Sequence, residues 1–407
     1  MLRAVRLLFL FLFSVGFAHA EPSTQADFKR FLERTVWPQA RSARVSRGTF
    51  DQILGSVQLN TRIPGLVKPG TRVPQRIRQA EFSAPARYFN ENNVGAIVSG
   101  GKRLAQQHAR TLADIERKYG VPGRIVLAIW GRESGFGRVN IPHNAFEVLA
   151  TKAYMSTRPE LFQKELVSAL VMIERGLASK AQMKSSWAGA LGQPQFLPSS
   201  YLEYAVDFDG DRKPDIWDSV PDTLASIAAY LNRFGWQSGR DWGFEVRVPT
   251  DIPCSFEGPD QGLKMRDWAA MGVTRVSGRP FPADELDRDG FLLMPAGRSG
   301  PAFIVTPNFY VIKKYNESDL YALFVGHAAD RIQWSTGRFK GSWGSVDSLY
   351  RSDIASMQRV LEGQGYDVGG ADGLPGFKTR RSIGDWQTKN GRTPTCFPSS
   401  ALVRSIK

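Results

Sequence analysis

Ten residues, A-I-W-G-R-E-S-G-F-G from Ala128 to Gly137, put a carboxylate where few folds tolerate one. Upstream, Val121-Pro122-Gly123 makes a helix start, because a Pro at or near the first helical position gives up no needed N–H. Ile125, Val126, Ile129 and Trp130 continue a largely apolar helix. Glu133 lies four residues after Ile129 and eight after Ile125, so it falls on the apolar stripe. Gly135 and Gly137 end the helix just beyond it. Apolar neighbours and the negative end of the helix dipole both raise the pKa of such a carboxyl. A general acid at neutral pH needs that state. On this stretch alone the bland alternative, a surface Glu paired with Arg132 or Arg138, is the favoured one.

Residues 1–20 read as a secretory signal peptide, with Arg3 and Arg6 as the charged part, Leu7 to Phe13 as the apolar part and Ala18-His19-Ala20 as the cleavage site. The apolar run is too short to span a bilayer, and no Cys stands at the cleavage point to carry a lipid. A free periplasmic protein without stable membrane insertion is therefore expected. About 390 residues remain, enough for two or three domains. The formal charge of +14 falls only to +12 without Arg3 and Arg6, which suits an anionic polymer or a membrane surface. No arginine-rich block or zinc pattern supports nucleic acid as a partner.

Cys254 and Cys396 make no disulfide scaffold, and the sequence leaves their pairing open. His108, His143 and His327 are not spaced as zinc ligands, and no nucleophile elbow supports a serine triad.

Helical spacing runs from Phe28 to Leu54, with Ser46 starting a second segment, and again over Val94–Tyr119, Glu160–Arg175 and Asp222–Phe234. Residues 60–73 are punctuated by Pro and Gly and read as irregular. Between about 242 and 310, F-E-V-R-V, G-F-L-L-M and A-F-I-V read as short strands. Gly337–Trp343 reads as a linker, and helices at Asp353–Leu361 and Thr379–Gln387 form a small terminal module.

A second constellation, S-W-A-G-A-L-G-Q-P-Q-F from Ser186 to Phe196, sets small residues and two amides, Gln193 and Gln195, among aromatics. That mix suits sugar rings, and a tight bend between helices explains it as well. Read together, E-S-x-F-G followed by G-A-x-G-Q-x-Q-F-x-P-S resembles the signature of the B-type lytic murein transglycosylases. F-x-x-F-L near the start, Q-A-E-F at Gln79–Phe82, Y-G-V-P at Tyr119–Pro122 and Y-N-E-S-D-L-Y at Tyr315–Tyr321 extend the resemblance over most of residues 25–335.

The resemblance implies a mainly α fold. Its parts would be a lysozyme-like α+β catalytic core within 21–340, a helical N-terminal region, a small antiparallel β insertion and a C-terminal three-helix-type module at 341–407. It implies that Glu133 is the single catalytic acid/base, cleaving between N-acetylmuramic acid and N-acetylglucosamine to leave a 1,6-anhydro sugar. Ser186, Gln193 and Gln195, with Tyr315, Asn316 and Tyr321 opposite, would then bind substrate. Peptidoglycan strands are the implied partner, and no cofactor is required for the chemistry. Two alternatives stay open: a hydrolytic muramidase, which needs a second carboxylate to activate water, and a non-catalytic wall-binding protein.

Asp207, Asp209, Asp211, Asp215 and Asp218 stand at positions 1, 3, 5, 9 and 12 of an EF-hand-like loop, with the Lys213 carbonyl at position 7. A structural Ca²⁺ is one reading. An Asp-rich turn is the other, because Arg212 replaces the usual Gly and Asp218 the longer Glu. In the tail, Gln358, Gly365-Tyr366, Asp372-Gly373, Gly376, Thr379 and Gln387 resemble the small helical peptidoglycan-binding domain. A helical cap on the catalytic domain is the alternative.

Overall fold

The computed structural model describes residues 25–67 and 85–406. The expected signal peptide and the Gln79–Phe82 landmark lie outside the described residues. The fold is mainly α. Its principal core surrounds the helix Gly123–Ser134, which packs against Glu91–Gln107 and Asp319–Trp334, themselves in contact with each other. Ile125 to Ile129 are fully buried there, as the apolar spacing requires. Gly131 permits the close approach, since a Cβ would lie 2.6 Å from the Phe136 ring and 2.9 Å from Ile97.

The helix ends as the glycines predict. Gly135 is left-handed at φ +57° and its N–H bonds to the Gly131 carbonyl at 3.0 Å. Other boundaries differ from the expected ones. The single helix expected over Val94–Tyr119 is two, Glu91–Gln107 and Ala109–Tyr119, broken at His108. Ser46 does cap a new helix, accepting from the Thr49 N–H.

The insertion is a five-stranded antiparallel sheet in the order Leu263–Lys264, Asp289–Leu293, Ala302–Val305, Gly243–Arg247, Thr274–Arg275. It has its own core, built on Phe244, Met265, Trp268 and Ile304. The terminal module has a third, around Met357, Leu361, Ile383 and Trp386, and three helices: Arg351–Gly363, Phe377–Lys389 and Ser400–Ser405.

Residues 337–343 do not behave as a free linker. Trp343 stacks on Phe89 at 5.1 Å, Phe339 packs on His327 at 4.0 Å, and Glu245 accepts from the Lys340 and Gly341 N–H groups. The two aromatics override the flexibility that the glycines and serines imply. Cys254 and Cys396 are bonded, joining the insertion to the module across 142 residues.

Candidate active site

Glu133 occupies the last turn of its helix, where Gly135, Phe136 and Gly137 turn the chain away in left-handed conformations. Its Oε1 accepts a hydrogen bond from the Tyr321 hydroxyl at 2.5 Å. Burial pushes its pKa up from an ordinary 4.5 to about 7, against the opposing pull of the Tyr321 hydroxyl and the Arg132 charge. Arg132 itself lies over the Tyr88 and Phe324 rings at 4.8 Å.

Tyr321 sits on the first turn of the Asp319–Trp334 helix, whose Ser318 cap accepts from its N–H. Tyr315 lies parallel to it with centroids 6.4 Å apart and donates its hydroxyl to the Pro194 carbonyl at 2.7 Å. That bond ties the tyrosines to the small-residue loop.

The loop is closed by pairing of Ser185 with Leu191 and of Leu191 with Phe196. Gln193 spends its amide inside the protein. Its Oε1 accepts from the Trp130 indole at 2.9 Å and its Nε2 donates to the Trp217 carbonyl at 2.7 Å. Gly137 is suited to Gly, being left-handed at φ +76° with the Gln193 Oε1 2.5 Å from where a Cβ would lie. The glutamine thus pins the loop to the end of the Glu133 helix.

Gln195 is left-handed at φ +54°, half-buried, with Nε2 on the Gly192 carbonyl at 2.9 Å. The Ser186 Oγ accepts from the Ala190 N–H at 3.3 Å. Beside it Trp187 is 51% exposed with the Lys152 ammonium 4.9 Å from its ring, a stacking face that the sequence marks only as part of a run. Asn316 is exposed. With Lys313 and Asp319 it lines a cavity of about 520 Å³ shared with Gly369, Phe377 and Lys378 of the terminal module.

Asp330 is a rival buried acid, raised to about 8 by burial and by Asp241, against the charge of Arg124 and the Trp242 indole. It lies on the same helix as Tyr321, nine residues further on, a rise of about 13 Å. The carboxyl pairs of ordinary glycosidases are separated by roughly 5–9.5 Å. Asp330 faces Arg124, Asp241 and Trp242, a set apart from the Tyr321 and Arg132 that act on Glu133.

In the acidic loop, Asp207, Asp209, Asp211 and Asp222 each bring a carboxylate oxygen within 4.8 Å of the others. Asp222 is not marked by the twelve-residue spacing. It belongs to the next helix, Val220–Arg233, where it accepts from the Phe208 and Asp215 N–H groups at 2.8 Å. Asp215 and Asp218 stand outside the cluster, because Asp215 turns back to accept from the Trp217 and Asp218 N–H groups. Lys213 donates its N–H to Asp211. Arg212 takes the left-handed position at φ +76° that a Gly usually fills.

The family model described as the transglycosylase SLT domain matches residues 27–330. The chain belongs to that family. It is 33% identical over 229 residues to the membrane-bound lytic murein transglycosylase B of Escherichia coli (strain K12). The match covers 56% of this chain and 62% of that relative's length. Among solved structures it is similar to SltB3 from Pseudomonas aeruginosa in complex with NAG-anhNAM-pentapeptide, with a TM-score of 0.82 and 37% identity. That likeness covers 93% of this chain and 99% of the other. The Escherichia coli lytic transglycosylase SLT35, solved in complex with calcium, matches at a TM-score of 0.58 and 25% identity, over 78% of this chain and 94% of that one.

Proposed function

We propose that this protein is a periplasmic lytic transglycosylase that cleaves the β-1,4 bond between N-acetylmuramic acid and N-acetylglucosamine in peptidoglycan. One observation carries the reading: a carboxyl at the end of a buried helix, pushed to near-neutral pKa by desolvation and bonded to a tyrosine hydroxyl. Glu133 gives its proton to the glycosidic oxygen as the bond to the anomeric carbon breaks. The muramic acid O6 hydroxyl then attacks that carbon and returns its proton to Glu133. No water enters, so one carboxyl suffices. The tyrosine hydroxyl stabilises the carboxylate that exists between the two transfers.

In this reading Ser186, Gln195 and Asn316 offer polar groups to N-acetyl and hydroxyl groups of the glycan, and Tyr315 and Tyr321 offer ring faces. Gln193 acts by holding the loop in place. Residues 21–340 are the catalytic part and 341–407 a wall-binding part, fixed to the first instead of tethered to it. Sacculi treated with the protein should release muropeptides ending in 1,6-anhydromuramic acid, read by mass spectrometry. Ends heavier by one water would support hydrolysis instead, and sacculus binding without release would leave a wall-binding protein.

The acidic loop fits a structural Ca²⁺, with Asp207, Asp209, Asp211 and Asp222 as the carboxylate ligands and the Lys213 carbonyl as a further oxygen. The ion would tie the loop to the Asp222 helix and take no part in the chemistry. Arg212 opposes it by charge and by its left-handed backbone. Arg212→Gly is expected to tighten Ca²⁺ binding about tenfold by calorimetry, and Asp222→Asn to remove the Ca²⁺-dependent rise in melting temperature. Equal melting of the wild type in Ca²⁺ and in chelator would discard the ion.

A further inference from the structure

The start of the Tyr321 helix is held partly from outside the catalytic fold. Asp319, its first residue, faces two cations: the Lys313 Nζ at 2.7 Å and the Arg380 Nη2 at 3.3 Å. Arg380 comes from the terminal module and is 1% exposed. Its guanidinium is completed by Glu257 of the insertion, 0% exposed, with Nη2 to Oε1 at 2.6 Å and Nε 3.0 Å from both oxygens. The Pro375 carbonyl accepts from its Nη1 at 2.9 Å, and the Met294 N–H donates to the Glu257 Oε1 at 2.8 Å.

One side chain therefore clamps three bodies: module, insertion and the first turn of the helix that carries Tyr321. Burying a guanidinium is costly unless every partner is in place, and removing one partner leaves an uncompensated buried charge. Two further fastenings hold the clamp closed. Arg381 pairs with Asp260, and Cys396 is bonded to Cys254, three residues before Glu257. Asp319 and Tyr321 share one helical turn, so displacing the first moves the second, whose hydroxyl stands 2.5 Å from the Glu133 carboxyl.

We propose that Arg380 is a positioning residue for the catalytic acid: through Asp319 it sets the first turn of the Tyr321 helix, and hence the Tyr321–Glu133 hydrogen bond. The terminal module is then part of the catalytic apparatus as well as a wall contact. The inference rests on the reaction proposed above. The charged and titratable groups facing Glu133 are Arg132 on its own helix, Tyr321 opposite, and Tyr315 beside Tyr321. Of these, the Tyr321 bond and the Arg132 charge hold the Glu133 pKa down. Losing the bond leaves burial to raise it further and makes the carboxyl a weaker proton donor.

The test uses the full-length protein carrying Arg380→Met, Arg380→Lys, Asp319→Asn, Tyr321→Phe, or Asp319→Asn with Tyr321→Phe, assayed on soluble glycan strands from pH 5 to 9. Asp319→Asn leaves the Arg380–Glu257 pair intact, so it stays informative if Arg380→Met does not fold. Expected are a roughly tenfold fall in kcat with KM within twofold for Asp319→Asn and Arg380→Met, and partial recovery in Arg380→Lys. The alkaline limb of the profile should move upward as it does in Tyr321→Phe, and the double variant should be no slower than Tyr321→Phe alone. Additive losses with an unmoved limb would make the clamp merely structural and overturn the proposal. So would a raised KM at unchanged kcat, which is the signature of a tether. Failure of the underlying reading would look different: the wild type itself would release no anhydro ends.

Discussion

Glu133→Gln is expected to lower anhydromuropeptide release about a thousandfold or more, because in the proposed reaction one carboxyl serves both proton transfers and the amide can make neither. The same substitution should stabilise the protein above neutral pH. The carboxyl's folded pKa is raised from 4.5 to about 7. A group shifted upward favours the folded state fully below its unfolded pKa, and that contribution is lost as pH rises through the folded value. Above pH 7 the native protein must hold a desolvated carboxylate that the unfolded chain would hydrate. The difference amounts to at most about 3 kcal/mol, less whatever solvent reaches the partly exposed group. The amide of the variant carries no charge and escapes it. Melting temperatures of wild type and Glu133→Gln should therefore coincide near pH 5 and separate by pH 8, with the variant higher. Coincident curves at both pH values would show that the carboxyl is not desolvated and would weaken its assignment as the acid. Activity should run in the opposite sense, falling through pH 7 as the proton donor is lost.

The pattern that exposes this acid is local. Spacing from Ile125 and Ile129 puts Glu133 on a buried stripe, and Gly135 stops the helix beside it. The strands at Gly243–Arg247, Asp289–Leu293 and Ala302–Val305 are equally plain, since alternation or a short apolar run between turn residues acts within a few positions. What escapes depends on contacts between distant segments. Asp222 completes the acidic cluster from a helix that begins after the loop has ended, so no fixed spacing reaches it. The break at His108 has no Pro or Gly to announce it. Gln193 looks like a sugar ligand because amides are common in such sites, and only the indole of Trp130 and the carbonyl of Trp217 show that both ends of its amide are engaged within the protein. In the module, Gln358 is part of a recognisable motif for an internal reason. It is buried, accepting from the Gly373 N–H at 2.7 Å and donating to Thr379 and Leu374. Motif residues of that kind report the module's fold and are silent about its ligand.

Removing the disulfide should produce the largest change in stability. Cys254 and Cys396 are buried, with Cα atoms 6.1 Å apart, and close a loop of 142 residues. Closing so long a loop removes unfolded-state entropy worth roughly 5 kcal/mol at the upper limit, and native bonds of this kind are usually worth about 2–5 kcal/mol. Gly384 packs against the bond so closely that a Cβ would lie 2.6 Å from the Cys254 Sγ, leaving little space for the separated thiols. Cys254→Ser with Cys396→Ser should thus lower the denaturant midpoint well beyond the effect of ordinary surface substitutions. The native contacts around the bond predict where the loss appears first. Gln387 receives the Thr395 and Cys396 N–H groups, and the Thr395 carbonyl accepts from the Arg298 N–H at 3.0 Å, so the chain near Cys396 is held on both sides. Module and insertion should therefore separate together, and the first new protease sites in the reduced protein should fall between about residues 337 and 350. Equal midpoints under oxidising and reducing conditions, with no new cleavage, would mean that the Arg380 and Arg381 ion pairs and the Arg298–Thr395 hydrogen bond hold the two parts together without the disulfide. A measured gap would instead tie folding to an oxidising compartment, where such bonds persist, in accord with the proposed periplasmic site of action.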